Sequence, residues 1–180
     1  MRLHPKDILA VGIDYQERLI PAIHEKETLI RNSRLLFAGL NILEVPVLIS
    51  RQYPKGLGDT VSEIREVTGT ATILDKLSFS CYGDAAIRQA VDAAGRRNIV
   101  VAGTEAHVCV LQTVIDLGAA GYQVVYVVDC AGSRKPEDKK YALKRAAREG
   151  ALLVTYEQLL FELLGSAASA SFKTLSALLK

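Results

Sequence analysis

Three side chains able to do covalent chemistry stand where apolar runs end. Asp14 follows Ile8-Leu9-Ala10-Val11-Gly12-Ile13, Lys76 follows Thr72-Ile73-Leu74-Asp75, and Cys109 lies shortly beyond Ile99-Val100-Val101. A thiol can attack a carbonyl carbon, an ammonium favours the thiolate, and a carboxylate can take the thiol proton and return it to a leaving group. Each residue also has a plain structural role. A lone cysteine usually packs in a core, an aspartate at a strand end often caps a loop, and a lysine is usually solvated. Asp129, after Gln123–Val128, is a rival carboxylate, and spacing alone does not choose between it and Asp14.

The elements that must position these residues are legible from periodicity. Short β-branched runs read as buried parallel strands at 8–13, 45–49, 72–74, 99–101, 123–128 and 151–154. Helical spacing of apolar residues appears at 28–43, at 84–94 with Asp84 as N-cap, from Val108 to Leu117, at 137–148 behind Pro136, and at 156–164. Strands alternating with helices predict βαβ units, and in an open α/β sheet ligands bind beyond the carboxyl ends of the strands. Cys109 thus falls between a buried strand and a helix start, where free N–H groups and the helix dipole favour a thiolate and can hold an oxyanion. Residues 51–70, with Pro54, Gly56, Gly58 and Gly69, read as a long loop of active-site type with a short helix at 62–67.

Composition narrows the classes. The 180 residues suit a single domain over 1–180, with a small-residue linker and a helix at 165–180. Twenty-two basic against 20 acidic residues give +2, which offers no electrostatic case for nucleic acid or an anionic membrane. No apolar run approaches the roughly 18 residues that span a bilayer, and Met1–Asp7 carries no signal-peptide core. Cys81, Cys109 and Cys130 make no even disulfide framework and no zinc spacing, so a reducing, cytoplasmic setting is expected. No Gly-rich phosphate fingerprint follows a strand.

Four stretches then carry a resemblance: Ile13-Asp14-Tyr15-Gln16-Glu17, Asp75-Lys76-Leu77-Ser78-Phe79-Ser80, Gly103-Thr104-Glu105-Ala106-His107-Val108-Cys109-Val110, and Val128-Asp129-Cys130-Ala131-Gly132-Ser133-Arg134. In this order they resemble the isochorismatase-like cysteine hydrolases, within the subgroup of isochorismatase-domain proteins whose substrate is generally unassigned. The resemblance spans roughly residues 7–164. It implies an α/β, three-layer αβα architecture with a six-stranded, mostly parallel sheet, the Rossmann-like hydrolase fold of that family. It carries the family triad onto Asp14, Lys76 and Cys109. It maps a non-proline cis peptide onto Thr104–Glu105, with the N–H groups of Glu105 and Cys109 turned toward an oxyanion.

The departures are informative. Nicotinamidases of the family hold a metal with Asp-x-His after the second strand; here Ser50-Arg51-Gln52 stands there without histidine, so no metal and no cofactor are expected. True isochorismatases lack the cysteine nucleophile, which points this chain toward amide or related C–N hydrolysis through a thioester. Tyr15, Gln16, Tyr53, Phe79 and His107 are candidate pocket walls, His107 being equally open to local satisfaction. Glu105 is a carboxylate that fixes the loop, Arg134 a carboxylate ligand or surface ion pair, and Cys81 and Cys130 core thiols. A small-molecule substrate and a homo-oligomer are expected, the latter because the apolar face of 172–179 needs cover. The rivals are a vestigial oligomeric binding protein, a nicotinamidase-like amidase, and a redox-sensitive thiol at Cys109.

Overall fold

The run Ile8–Ile13 forms β1, buried at every position, and the sheet extends from it in both directions. The computed structural model describes residues 2–180. To one side lie β2 (Val47–Gln52) and β3 (Thr72–Lys76); to the other lie β4 (Asn98–Thr104), β5 (Gln123–Gly132) and β6 (Leu152–Val154). The order is β3-β2-β1-β4-β5-β6, and every neighbouring pair is parallel. The predicted six-stranded parallel sheet is present. Four of its strands run further toward their carboxyl ends than hydrophobicity indicates. The ladder continues through polar residues, pairing Gln52 with Lys76 and Thr104 with Gly132.

Helices cover both faces. One layer holds α1 (Lys26–Ile42), α3 (Ser62–Arg65), α7 (Tyr156–Leu164) and α8 (Phe172–Leu178). Leu29, Leu36, Phe37 and Leu40 of α1 pack there with Leu159, Leu160 and Leu163 of α7. Each such side chain contributes roughly 1.5–3 kcal/mol on burial. The other layer holds α4 (Ala85–Ala93), α5 (Leu111–Ala119) and α6 (Pro136–Arg148), which bury Ile87, Val91, Val114, Leu117, Ala142 and Ala146. The predicted cap of α4 is in place, with Asp84 accepting from the Ala86 N–H. A short helix α2 (Pro54–Leu57), which the loop reading of 51–70 did not include, sits above β2. Helix α8 folds back onto its own chain, where Leu175 is fully buried against the α1 layer. That corrects the argument that this segment needs a neighbouring subunit to cover it.

Strands leave β1 in opposite senses toward β2 and β4, which opens a crevice at their carboxyl ends. Close approach of β1 and β4 depends on Gly103. Its φ is +140°, and a Cβ there would run into the backbone carbonyl of Ile13. Among the described residues no helix is long and apolar enough to cross a membrane.

Candidate active site

Asp14 leaves β1 with φ +52°, a left-handed conformation that turns its side chain back over the sheet edge. Both carboxylate oxygens are held. Ser50 Oγ, near the end of β2, donates to Oδ1 at 2.7 Å, and Lys76 Nζ, the last residue of β3, donates to Oδ2 at 2.7 Å. The Asp14 and Lys76 side chains are wholly enclosed. The ammonium also reaches Gln52 Oε1 at 2.7 Å and the carbonyls of Phe79 at 3.0 Å and Ser78 at 3.2 Å. Gln52 is fixed in turn by Gln16, whose Oε1 accepts from the Gln52 N–H at 2.7 Å. Thr104 Oγ1 closes the ring by donating to the Asp14 carbonyl at 2.6 Å.

Cys109 enters from β4. The Thr104–Glu105 peptide is cis. A π-helical turn over Ala106–Val110 then leads into α5, where sequence periodicity predicted an ordinary helix start at Val108. The turn carrying Cys109 is pinned by Thr113, whose hydroxyl donates to the Cys109 carbonyl at 2.7 Å and accepts from the Cys81 N–H at 2.9 Å. Cys109 is 6% exposed.

The electrostatics of the three groups are mutual. Burial pushes the Cys109 thiol up to about 12; the Asp14 carboxylate adds to this, and Lys76 opposes it. The expected thiolate-favouring environment is therefore corrected, because desolvation and a facing carboxylate outweigh one ammonium. Both effects favour the thiol over the thiolate at Cys109. Burial works against the charge on Lys76, yet Asp14, Cys81 and Cys109 together hold it above the usual lysine range. Cys81 is the second sulfur here. Burial raises its thiol to about 11, and its Sγ meets Ser50 Oγ at 3.3 Å.

The remaining candidates separate. Tyr15 is not a pocket wall: it is fully buried on the α1 side, its hydroxyl donating to the Cys130 carbonyl at 2.6 Å and paired with Ser33 at 2.8 Å. The left-handed turn at Asp14 swings the next side chain away from the crevice. Gln16 is also fully buried and serves the loop, donating to the carbonyls of Gln52 and Gly58. Tyr53 and Phe79 stand half exposed on the loops flanking Lys76. The ring nitrogens of His107 face Ser133 Oγ at 3.0 Å and Asp138 at 3.8 Å, which is the locally satisfied arrangement. Arg134 donates to Glu105 at 2.8 Å. The rival Asp129 accepts from the Tyr156 N–H and takes no part with Cys109. Sequence reasoning missed Ser50, Gln52, Cys81 and Thr113. The first two were open to detection, since alternate residues at the end of β2 share the face that carries the site.

A metal does not fit where nicotinamidases carry one. Ser50 and Gln52 are committed to Asp14 and Lys76, and Arg51 is clamped between Asp59 at 2.8 Å and Asp75 at 2.7 Å. Among the described residues no cluster of three or more His, Cys, Asp or Glu is placed to hold an ion. A cleft of about 660 Å³ over the α1 layer is lined by none of Asp14, Lys76 and Cys109.

Comparison with known proteins bears on the family and the fold. The isochorismatase domain profile matches residues 9–158. Isochorismatase domain-containing protein 1 of Salmo salar is 39% identical over 167 residues, which cover 93% of this chain and 59% of that protein. The chain thus spans about three-fifths of that relative. Among solved structures, the MAR1 ribonuclease of Caenorhabditis elegans is 34% identical with a TM-score of 0.93, covering 99% of this chain and 92% of the other. The Escherichia coli YcaC gene product, described as an octameric hydrolase of unknown specificity, shares the fold with a TM-score of 0.93 at 22% identity, covering 99% and 90%. With a profile match over residues 9–158 and a six-stranded parallel sheet flanked by helices, the chain belongs to the isochorismatase domain family.

Proposed function

We propose that this hydrolase-fold protein cleaves a small amide or related C–N substrate through Asp14, Lys76 and Cys109, without a metal. The Cys109 proton passes to Asp14 as the sulfur attacks the carbonyl carbon. The oxyanion is received by the N–H groups of Glu105 and Cys109. Asp14 returns the proton to the leaving nitrogen, ammonia or an amine departs, and a thioester remains. Water, deprotonated by Asp14, then cleaves the thioester; the acid product leaves and the thiol is restored. Lys76 holds Asp14 in position and offsets negative charge on the sulfur.

The observation that carries this reading is the enclosed Lys76–Asp14 pair at 2.7 Å beside a buried thiol that both groups influence. The test is a panel of small amides assayed for ammonia release, with mass measurement of an acyl group on Cys109. Cys109→Ala is expected to abolish turnover; undiminished release by that variant refutes the mechanism. A vestigial binding protein would show neither turnover nor acylation. The relative named a ribonuclease supplies a second reading, RNA cleavage. It predicts loss of RNA under conditions in which Cys109→Ala is inert. The proposal further includes a homo-oligomer, as the YcaC description suggests, a single functional unit over the chain, and a reducing cytoplasmic setting suited to three unpaired thiols.

A further inference from the structure

We infer that the substrate of this site is uncharged and carries an apolar or aromatic group, an inference that rests on the hydrolase reading above. The Lys76 ammonium has three protons and four oxygens within 3.2 Å, so nothing remains for a substrate carboxylate or phosphate. Arg51 is shared between Asp59 and Asp75, Arg134 is paired with Glu105, and Arg18 donates to the Gly56 carbonyl. On the loops 51–58 and 76–83 the remaining basic group, Lys55, is exposed on α2. A ligand anion reaching Cys109 past these two loops would approach the Asp14 carboxylate with no buried cation of theirs left uncommitted, and burying an unpaired charge is heavily penalised.

The rim is the second observation. Tyr53 (51% exposed), Leu77 (74%) and Phe79 (54%) are three of the large apolar side chains left in solvent, and all belong to loops that touch Lys76. The Tyr53 N–H donates to the Lys76 carbonyl at 2.9 Å, Gln52 Nε2 donates to the Leu77 carbonyl at 2.9 Å, and the Phe79 carbonyl accepts from the ammonium itself. Tyr53 is moreover held at φ +38°, an unfavourable backbone for a bulky residue, with its ring against Gly56. A strained residue whose backbone is tied to Lys76 and whose ring is left half in solvent points to a ligand that the ring contacts.

The test needs no turnover, so it separates this inference from the reaction itself. Cys109 in the full-length protein is alkylated with iodoacetamide and with iodoacetate, rates are read by peptide mass, and each is normalised to glutathione. The neutral reagent is expected to win by roughly tenfold or more, because the carboxylate of its rival finds no counter-charge. A normalised ratio near one, or favouring iodoacetate, overturns the uncharged-substrate inference and leaves RNA in contention. N-phenyl iodoacetamide should react several-fold faster than iodoacetamide, and Tyr53→Ser and Phe79→Ser should remove that advantage. If these variants instead change the oligomeric mass while the phenyl preference persists, the rim is a subunit contact and the apolar half of the inference fails. Absence of amide hydrolysis with the alkylation preferences intact refutes the reaction but not the selectivity.

Discussion

Replacing Lys76 with methionine removes the cation from a carboxylate sealed away from water. The methionine keeps much of the lysine stem, so packing changes little and electrostatics dominate. The two side chains are 0% exposed and 2.7 Å apart. Breaking such a pair from one side costs roughly 3–5 kcal/mol, because the remaining charge stays buried without compensation. Gln52 Oε1 and the Ser78 and Phe79 carbonyls lose their donor as well, though the two loop carbonyls can turn to solvent. For a chain of this size each kcal/mol moves Tm by roughly 2–4 °C, so a fall of roughly 6–20 °C is expected for Lys76→Met. The assay is urea or thermal unfolding near neutral pH for wild type, Lys76→Met, and the double variant Asp14→Asn/Lys76→Met. The double variant should recover most of the loss, since it leaves no charge behind. A single variant within about 1 kcal/mol of wild type, or a double variant no better than the single, refutes the claim that this pair holds the site.

Further outcomes follow from the same geometry. Asp14→Asn should quicken alkylation of Cys109 near pH 8 while ending turnover: the carboxylate pushes the thiol up, and each pKa unit recovered raises the thiolate fraction about tenfold. An unchanged or slower rate would remove Asp14 from contact with the sulfur. Gly103→Ala should lower the urea midpoint severely or prevent folding, because an added Cβ meets the Ile13 carbonyl at a positive φ. A wild-type midpoint contradicts the close approach of β1 and β4. Tyr15→Phe should destabilise by about 1–3 kcal/mol through the orphaned Ser33 and Cys130 groups, with the alkylation rate of Cys109 unmoved. Thr155→Ala removes the hydroxyl that caps α7 at the Gln158 N–H and should lower stability by about 1 kcal/mol in the same unfolding assay.

What the sequence reveals of the site follows from which residues end strands. Asp14 and Lys76 sit at the limits of apolar runs, and a parallel sheet brings such limits to one edge whatever the loops do. Asp14 and Asp129 could not be separated by spacing, because both end strands. Their difference lies in contacts across the sheet: Asp14 meets Ser50 and Lys76 from β2 and β3, whereas Asp129 lies beside α1 and the start of α7. Tyr15 departs from the expected pocket wall because one left-handed residue, Asp14, breaks the strand alternation that places side chains, and periodicity does not register a φ of +52°. The thiol's acidity was misjudged for a related reason. A helix start is visible in sequence, but the desolvation produced by Cys81, Ala106 and Val110 packing around Cys109 is a property of the assembled core.

Thr113 has a mechanical consequence. One hydroxyl grips both the segment at Cys81 and the carbonyl of Cys109. Displacing the 77–83 segment would strain or break one of these two bonds. A single side chain on α5 thus ties the position of the 77–83 segment to that of the Cys109 turn.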